Sequence, residues 1–346
     1  MDTATDLPLQ PRTASRDASL AAVVVASAPI YYAQGDDPAL DRPAHVRAGS
    51  SLAWVPGGIA LVQDDANFLA LVDPGVARAR AITLPAGEGG RRQFDDQRGN
   101  KRHKLDLEAC VAVPDDGGTL LVALGSGSTD RRERVVLARG WEAGGEEVAV
   151  VHAGALYAAL RGAGGFAGSE LNVEGAVHLG DRLRLFARGN GAPRNGAPRN
   201  GARPANATCE LDWRALRDYL RAPDRAAPPA PTGVVAFQLG ALDGVPLGFT
   251  DAAEWHGALL YSAAAEDSPD AVRDGRVAGS VVGVIDDRCV RWTPLTEADG
   301  APFRGKAEGL VAAPGEGDRL YLVVDADDPD APSSLCTVEL RGPWRG

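Results

Sequence analysis

Glu108, Glu174 and Glu308 each precede a small residue and an apolar run: Glu108-Ala109-Cys110-Val111, Glu174-Gly175-Ala176-Val177 and Glu308-Gly309-Leu310-Val311. Ser51-Leu52-Ala53-Trp54 and Asp251-Ala252-Ala253-Glu254 begin in a similar way. A short turn, a second apolar run and a polar loop follow each one. The loops are Gln63-Asp64-Asp65, Gly125-Ser126-Gly127, Arg188-Gly189-Asn190, Glu266-Asp267-Ser268 and Asp325-Ala326-Asp327-Asp328. Such recurrence marks copies of one supersecondary unit. Copies closed into a ring bring four carboxylates and a serine to one place, where close carboxylates cannot all stay ionised unless a cation sits among them. Calcium suits this oxygen-only set of Ser51, Glu108, Glu174, Asp251 and Glu308, because it takes roughly six to eight oxygen ligands in flexible geometry. Histidine and cysteine are missing from these positions, which disfavours zinc and copper.

A cation supplied by the protein is the alternative. Lysine occurs only at Lys101, Lys104 and Lys306 in a chain that otherwise uses arginine. Two of the three stand close before ring glutamates, Lys104 before Glu108 and Lys306 before Glu308. A compact ammonium there either neutralises the ring without metal or binds an anionic substrate beside one. Lys104, Lys306 and Arg188 are therefore the candidates for stabilising negative charge that develops in a reaction. Calcium and a Lys/Arg–carboxylate network stand as equal readings, since structural ion-pair networks also build such clusters. His103 and His256 are weaker candidates for a general base near the same face. Ser51 has no His/Asp partner at readable spacing, so a nucleophilic triad is unsupported. Trp54, Trp255 and Trp292 are expected to pack between repeats.

The elements that must position these residues are short strands. Forty-two glycines, twenty-four prolines and little helical periodicity favour an all-β chain. The first unit reads as strands over Ser51–Val55, Ile59–Gln63, Phe68–Asp73 and Arg80–Leu84, broken by Pro56-Gly57-Gly58 and Asp73-Pro74-Gly75. The last unit runs out of chain one strand early, while Ala21–Ala26 lies unclaimed at the other end. A propeller closes its ring in this way and so removes open sheet edges. The expected architecture is a five-bladed β-propeller of four-stranded antiparallel blades, closed by the N-terminal strand, with six blades as the alternative count. Residues 1–18 are expected to be a disordered leader and 19–346 a single domain. Within that domain 189–206 is a low-complexity insertion built on repeated Asn-Gly-Ala-Pro-Arg, and 211–224 holds a short helix with Asp212 as N-cap.

A formal charge of −11 argues against nucleic acid as a partner, and no segment has the length of a membrane-spanning helix. Acidic Asp2, Asp6 and Asp17 stand where a secretion signal needs basic residues. Cys110, Cys209, Cys289 and Cys336 lie far apart in different repeats, so they read as small buried hydrophobes in a reducing cytoplasm. A monomer is expected, and a small anionic molecule is the ligand class considered.

The blade starts resemble those of the calcium-dependent apyrases, nucleotidases with five-bladed propellers in which serine and glutamate residues at the blade starts hold a central calcium. The matching positions are Ser51, Glu108, Glu174, Asp251 and Glu308, with Asp251 in place of a serine. Lys306-Ala307-Glu308-Gly309-Leu310 and Gly248-Phe249-Thr250-Asp251 add local similarity. The long apyrase loops that contact phosphate have no counterpart here. Asp106-Leu107-Glu108-Ala109 and the Glu-Gly starts are similar to those of uncharacterised bacterial propellers related to the esterase-like phytase group. The resemblance implies a calcium-dependent hydrolase of a phosphorylated or otherwise anionic small molecule. The alternative is a non-catalytic binding module whose ring is structural, and a propeller serves either.

Overall fold

The strands fold into successive antiparallel meanders, each stepping outward from an inner strand. The inner strands are Gly49–Val55, Leu107–Asp115, Val173–Leu179, Val245–Trp255 and Lys306–Ala312. They pack side by side in cyclic order, the last returning to the first. The fold is all-β and propeller-like. The computed structural model describes residues 10–141, 145–168, 170–189, 206–267, 276–315 and 317–345. Most of the low-complexity insertion expected at 189–206 lies outside the described residues.

Apolar runs are continuous here because each sheet is covered on both faces. Ile59-Ala60-Leu61-Val62 is fully buried. Successive side chains point to opposite faces of a strand. Ile59 and Leu61 accordingly join the core shared with Val311 and Val323, whereas Ala60 and Val62 join the one shared with Leu107 and Leu121. The hydrophobic interior is thus divided into layers between neighbouring meanders. Trp54 and Trp255 span two such seams, donating from Nε1 to the carbonyls of Ala312 (2.7 Å) and Gly317 (3.1 Å).

The unclaimed N-terminal segment forms the strand Ala21–Pro29. It pairs antiparallel with Ser334–Arg341 and completes the last meander, as the missing strand requires. The leader is ordered further upstream than expected. Arg12–Thr13 pairs parallel with Thr232–Gln238, and Ser15–Arg16 with Val290–Glu297. Two residues of backbone pairing suffice for each contact, too few to leave an apolar pattern.

The expected helix occupies Trp213–Arg221, and the Asp212 carboxylate accepts from Ala215 N at 2.8 Å. A second helix, Gly154–Gly162, has no strong signal because alanine and glycine dominate it. It buries Leu156, Tyr157 and Leu160, and Tyr157 Oη donates to the Gly125 carbonyl at 2.7 Å. The Tyr157 ring packs on Gly127, where a Cβ would come within 2.4 Å of it. The Gly125-Ser126-Gly127 loop is therefore a packed turn. Cys110, Cys209 and Cys336 are buried and free. Cys289 is only half-buried and precedes its strand, with its thiol beside Asp286.

Candidate functional site

Each inner strand carries a β-bulge, and these bulges decide which side chains reach the channel. The register skips a residue at Ser50, Glu108, Glu174, Thr250 and Glu308. A bulged residue is left unpaired and its side chain is re-aimed. The structural equivalents of the three glutamates are therefore Ser50 and Thr250, one residue before the expected Ser51 and Asp251. The ring of Ser51, Glu108, Glu174, Asp251 and Glu308 divides into two sets that do different work.

The first set is a latch. Ser50 and Thr250 reach the carbonyls of Leu107 and Ala307, in each case the residue before the bulge of the next inner strand. Ser51 and Asp251 lie just past the bulges, where neighbouring backbones come close. A Cβ on Gly309 would fall 2.6 Å from Ser51 Cα, and one on Gly175 would fall 3.2 Å from Asp251 Cα. Glycine at 175 and 309 thus makes the room that Asp251 and Ser51 fill. Asp251 accepts from Ser51 Oγ (3.0 Å), Leu310 N (3.0 Å) and Ala252 N (2.8 Å), while Ser51 Oγ accepts from Cys110 N (3.0 Å). Burial pushes the Asp251 carboxyl well up despite these donors. Neither Ser51 nor Asp251 lines the channel mouth. As metal ligands they are misplaced, because their oxygens are already committed to one another and to the backbone.

The second set faces a cavity of about 310 Å³ at the mouth. Its lining holds twelve Asp or Glu residues against six Lys or Arg. Lys104 Nζ lies 2.5 Å from Asp64 and 2.6 Å from Asp106, and Arg132 reaches Asp106 at 2.9 Å. Lys306 Nζ lies 2.9 Å from Glu308, 3.4 Å from Glu266 and 3.6 Å from Asp327. Arg188 pairs with Glu266 at 2.7 Å and stands 3.8 Å from Glu174. Arg47, only 2% exposed, is held by Asp65, Asp95 and Gln93. The expected cations all come to the mouth, each bound by carboxylates.

The carboxylates remain in surplus. Glu108 and Asp325 have no hydrogen-bond or ion-pair partner among the described residues. Burial and the charges of Asp64, Asp106 and Glu174 drive the Glu108 carboxyl well up against the pull of Lys104. Burial, Asp327 and Asp64 do the same to Asp325. Glu174 is pushed up to about 8, by burial first and by Glu308, with Arg188 opposing. Asp106 is the exception: Lys104 and Arg132 outweigh its burial and hold it low. Burial alone would lower the lysine pKa values, but the surrounding carboxylates raise both Lys104 and Lys306 well above the ordinary range.

One oxygen each from Asp64, Asp106 and Glu108 lies within 4.8 Å of the others, a spacing that suits a cation with oxygen ligands. Lys104 contributes its ammonium to the same cluster. Asp64, Asp106, Glu266, Asp325 and Asp327 were legible only as polar loop or flank residues. Asp106 is held at φ 58°, a left-handed backbone that aspartate tolerates better than most residues. Arg47, Asp95 and Arg132 had no sequence signal. His256 occupies the turn at the far end of its inner strand at φ 50°, away from the mouth. His103 lies on the outer rim beside Arg131.

No curated protein matches the chain. Similar solved structures include the glutaminyl cyclase of Myxococcus xanthus (11% identity, covering 96% of this chain and 99% of that one, TM-score 0.44). The arabinanase of Bacillus subtilis is 11% identical over 85% of this chain and 94% of its own, with a TM-score of 0.41. The Pan2 WD40 domain of Neurospora crassa is 7% identical over 96% and 98%, with a TM-score of 0.36. At such identities and scores nothing about this chain's chemistry follows. The family model described as "Family of unknown function (DUF6929)" matches residues 45–340, and the chain belongs to that family.

Proposed function

We propose that the chain is a five-bladed propeller whose mouth binds a divalent cation, calcium by donor chemistry, and hydrolyses a phosphorylated or otherwise anionic small molecule there. The cyclic packing of five inner strands supports the blade count. The carboxylate surplus carries the functional reading: twelve acidic residues face six basic ones, with Glu108 and Asp325 left without a pairing cation. Asp64, Asp106 and Glu108 are the residues that would hold the ion. When bound, calcium supplies a Lewis acid that polarises a phosphoryl or carbonyl oxygen.

The chain's own groups supply the rest. Lys104 and Lys306 flank the cluster and are placed to meet the substrate's anionic oxygens. Arg188 stays tied to Glu266 and serves to position Glu174. Glu174, poised at about 8 and hydrogen-bonded by Asn172, is suited to hold or release a proton near neutral pH. A non-catalytic module with a structural ion-pair ring is favoured by one observation, the contact of Lys104 with Asp64 and Asp106. Thermal melting with millimolar calcium against chelator separates the two readings. Stabilisation by calcium that disappears in Glu108→Gln supports the cation site; unchanged melting leaves the ion-pair ring. Turnover of nucleoside di- and triphosphates, sugar phosphates or lactones with calcium supports hydrolysis. None across that panel, with calcium bound, leaves a binding module.

A further inference from the structure

The outermost strands of the meanders are not treated alike. Residues 12–32 run around the perimeter and add a parallel segment to one after another. Arg12–Thr13 lies on Thr232–Gln238, Ser15–Arg16 and then Ala21–Pro29 on Val290–Glu297, and Tyr31–Tyr32 on Arg78–Thr83. Ala21–Pro29 is itself the outermost strand of the closing meander. That leaves Glu147–His152, which pairs with Arg134–Arg139 on one side and, among the described residues, with no strand on the other. A bare edge presents half of its backbone N–H and C=O groups unpaired, a template for another chain.

A cavity of about 640 Å³ runs along this edge and is lined by all six of its residues. Its apolar floor includes Leu120, Leu137, Ala149 and Val151, and the helix Trp213–Arg221 forms the opposite wall with Trp213 and Leu220. Arg217 on that wall keeps a buried Nε donor with no hydrogen-bond acceptor, its nearest carboxylates, Asp115 and Asp218, standing off at 3.8 Å. We propose that Glu147–His152 is a β-augmentation site for an extended segment of a partner protein. The guest adds parallel to the strand, as the perimeter segments do elsewhere. It places an apolar side chain against Trp213 and Leu220 and offers a carbonyl or carboxylate to Arg217. Main-chain bonds supply affinity in this mode, and the alternate side-chain pockets supply selectivity.

The test is hydrogen exchange on the full chain with a synthetic heptapeptide alternating threonine and valine and carrying one glutamate. Amides of Glu147–His152 are expected to slow at millimolar peptide, while those of Arg78–Thr83 stay unchanged. Arg217→Ala, on a partly exposed side chain, should weaken the peptide roughly tenfold without changing the melting temperature. Ala149→Lys, on the side chain that faces Leu137, should abolish the slowing by placing a charge in the cavity. Three results overturn the proposal. The peptide gives no slowing, or slows Glu147–His152 equally in both variants. The free chain already protects Glu147–His152 as well as Arg78–Thr83, which assigns the edge to the chain's own residues 1–9. Protection rises with protein concentration alone, which assigns it to a second copy.

Discussion

At two of the five bulges the side chain is a hydroxyl, Ser50 or Thr250, and the next residue fills the convergence of the inner strands. At the other three it is a glutamate followed by alanine or glycine, and the carboxylate turns to the mouth. The same backbone irregularity thus builds a latch and a binding cavity within one strand's width. In the latch the polar groups satisfy one another: Asp251 accepts from Ser51, Leu310 and Ala252, and Ser51 both gives and takes. In the mouth, neutralisation stops short, and Glu108, Glu174 and Asp325 hold protons above their ordinary range. A site that is locally unfavourable yet held by a rigid frame is where function is expected. The contrast fits the proposed division, stability in the latch and binding at the mouth.

The strongest way to break that assignment is Asp251→Ala. It removes a buried acceptor and leaves the Ser51 hydroxyl proton and the N–H groups of Leu310 and Ala252 without an acceptor. A loss of about 4 kcal/mol is expected in urea unfolding, with calcium having no effect on it. A loss below about 1 kcal/mol would mean that packing of the inner strands holds the ring without the latch. Lys104→Met probes the mouth. It strips Asp64 of its ammonium and leaves Asp106 to Arg132 and the Ser126 hydroxyl, so about 3 kcal/mol should be lost at pH 7. Here calcium should restore much of the loss, because a second cation suits the same oxygens. Failure to restore it points to a site shaped for lysine alone. Gly309→Ala returns to the latch at smaller scale. The added methyl meets Ser51 backbone atoms, and about 2 kcal/mol should be lost through overpacking.

The repeat, its inner strands and the closing strand were legible because continuous apolar runs separated by Gly/Pro turns mark strands buried on both faces. The three glutamates at the bulges were legible too, since each precedes a small residue and an apolar run. Ser51 and Asp251 were misread by one residue. A bulge adds a residue without changing the pattern around it, so Ser50-Ser51 and Thr250-Asp251 each offer two polar side chains and the sequence does not say which is bulged. Arg47 and Arg132 were hidden for another reason. Their role comes from Asp65, Asp95 and Asp106, brought to them by neighbouring loops rather than by spacing along the chain. The short parallel segments at 12–16 depend on backbone pairing alone, which leaves side-chain pattern untouched.

Glu108→Gln is the gentlest probe and bears most directly on what fills the mouth. The substitution keeps shape and polarity while removing one negative charge from a cluster with Asp64, Asp106 and Glu174. Repulsion among partly solvated charges at such distances is on the order of 1 kcal/mol, so the variant should melt higher than the parent in chelator. The pH dependence fixes the sign. Glu174 titrates near 8 in the folded chain against 4.5 ordinarily, so the folded state holds the proton that the unfolded state releases first. The Glu174 contribution to stability in chelator is then fullest below pH 4.5 and is lost as pH rises through about 8. Removing the Glu108 charge should make that fall shallower, and calcium should flatten it in the parent but not in the variant. A parent whose melting temperature rises with pH over this range would show that Lys104, Lys306 and Arg188 already neutralise the mouth, and the difference between latch and cavity would then be one of exposure alone.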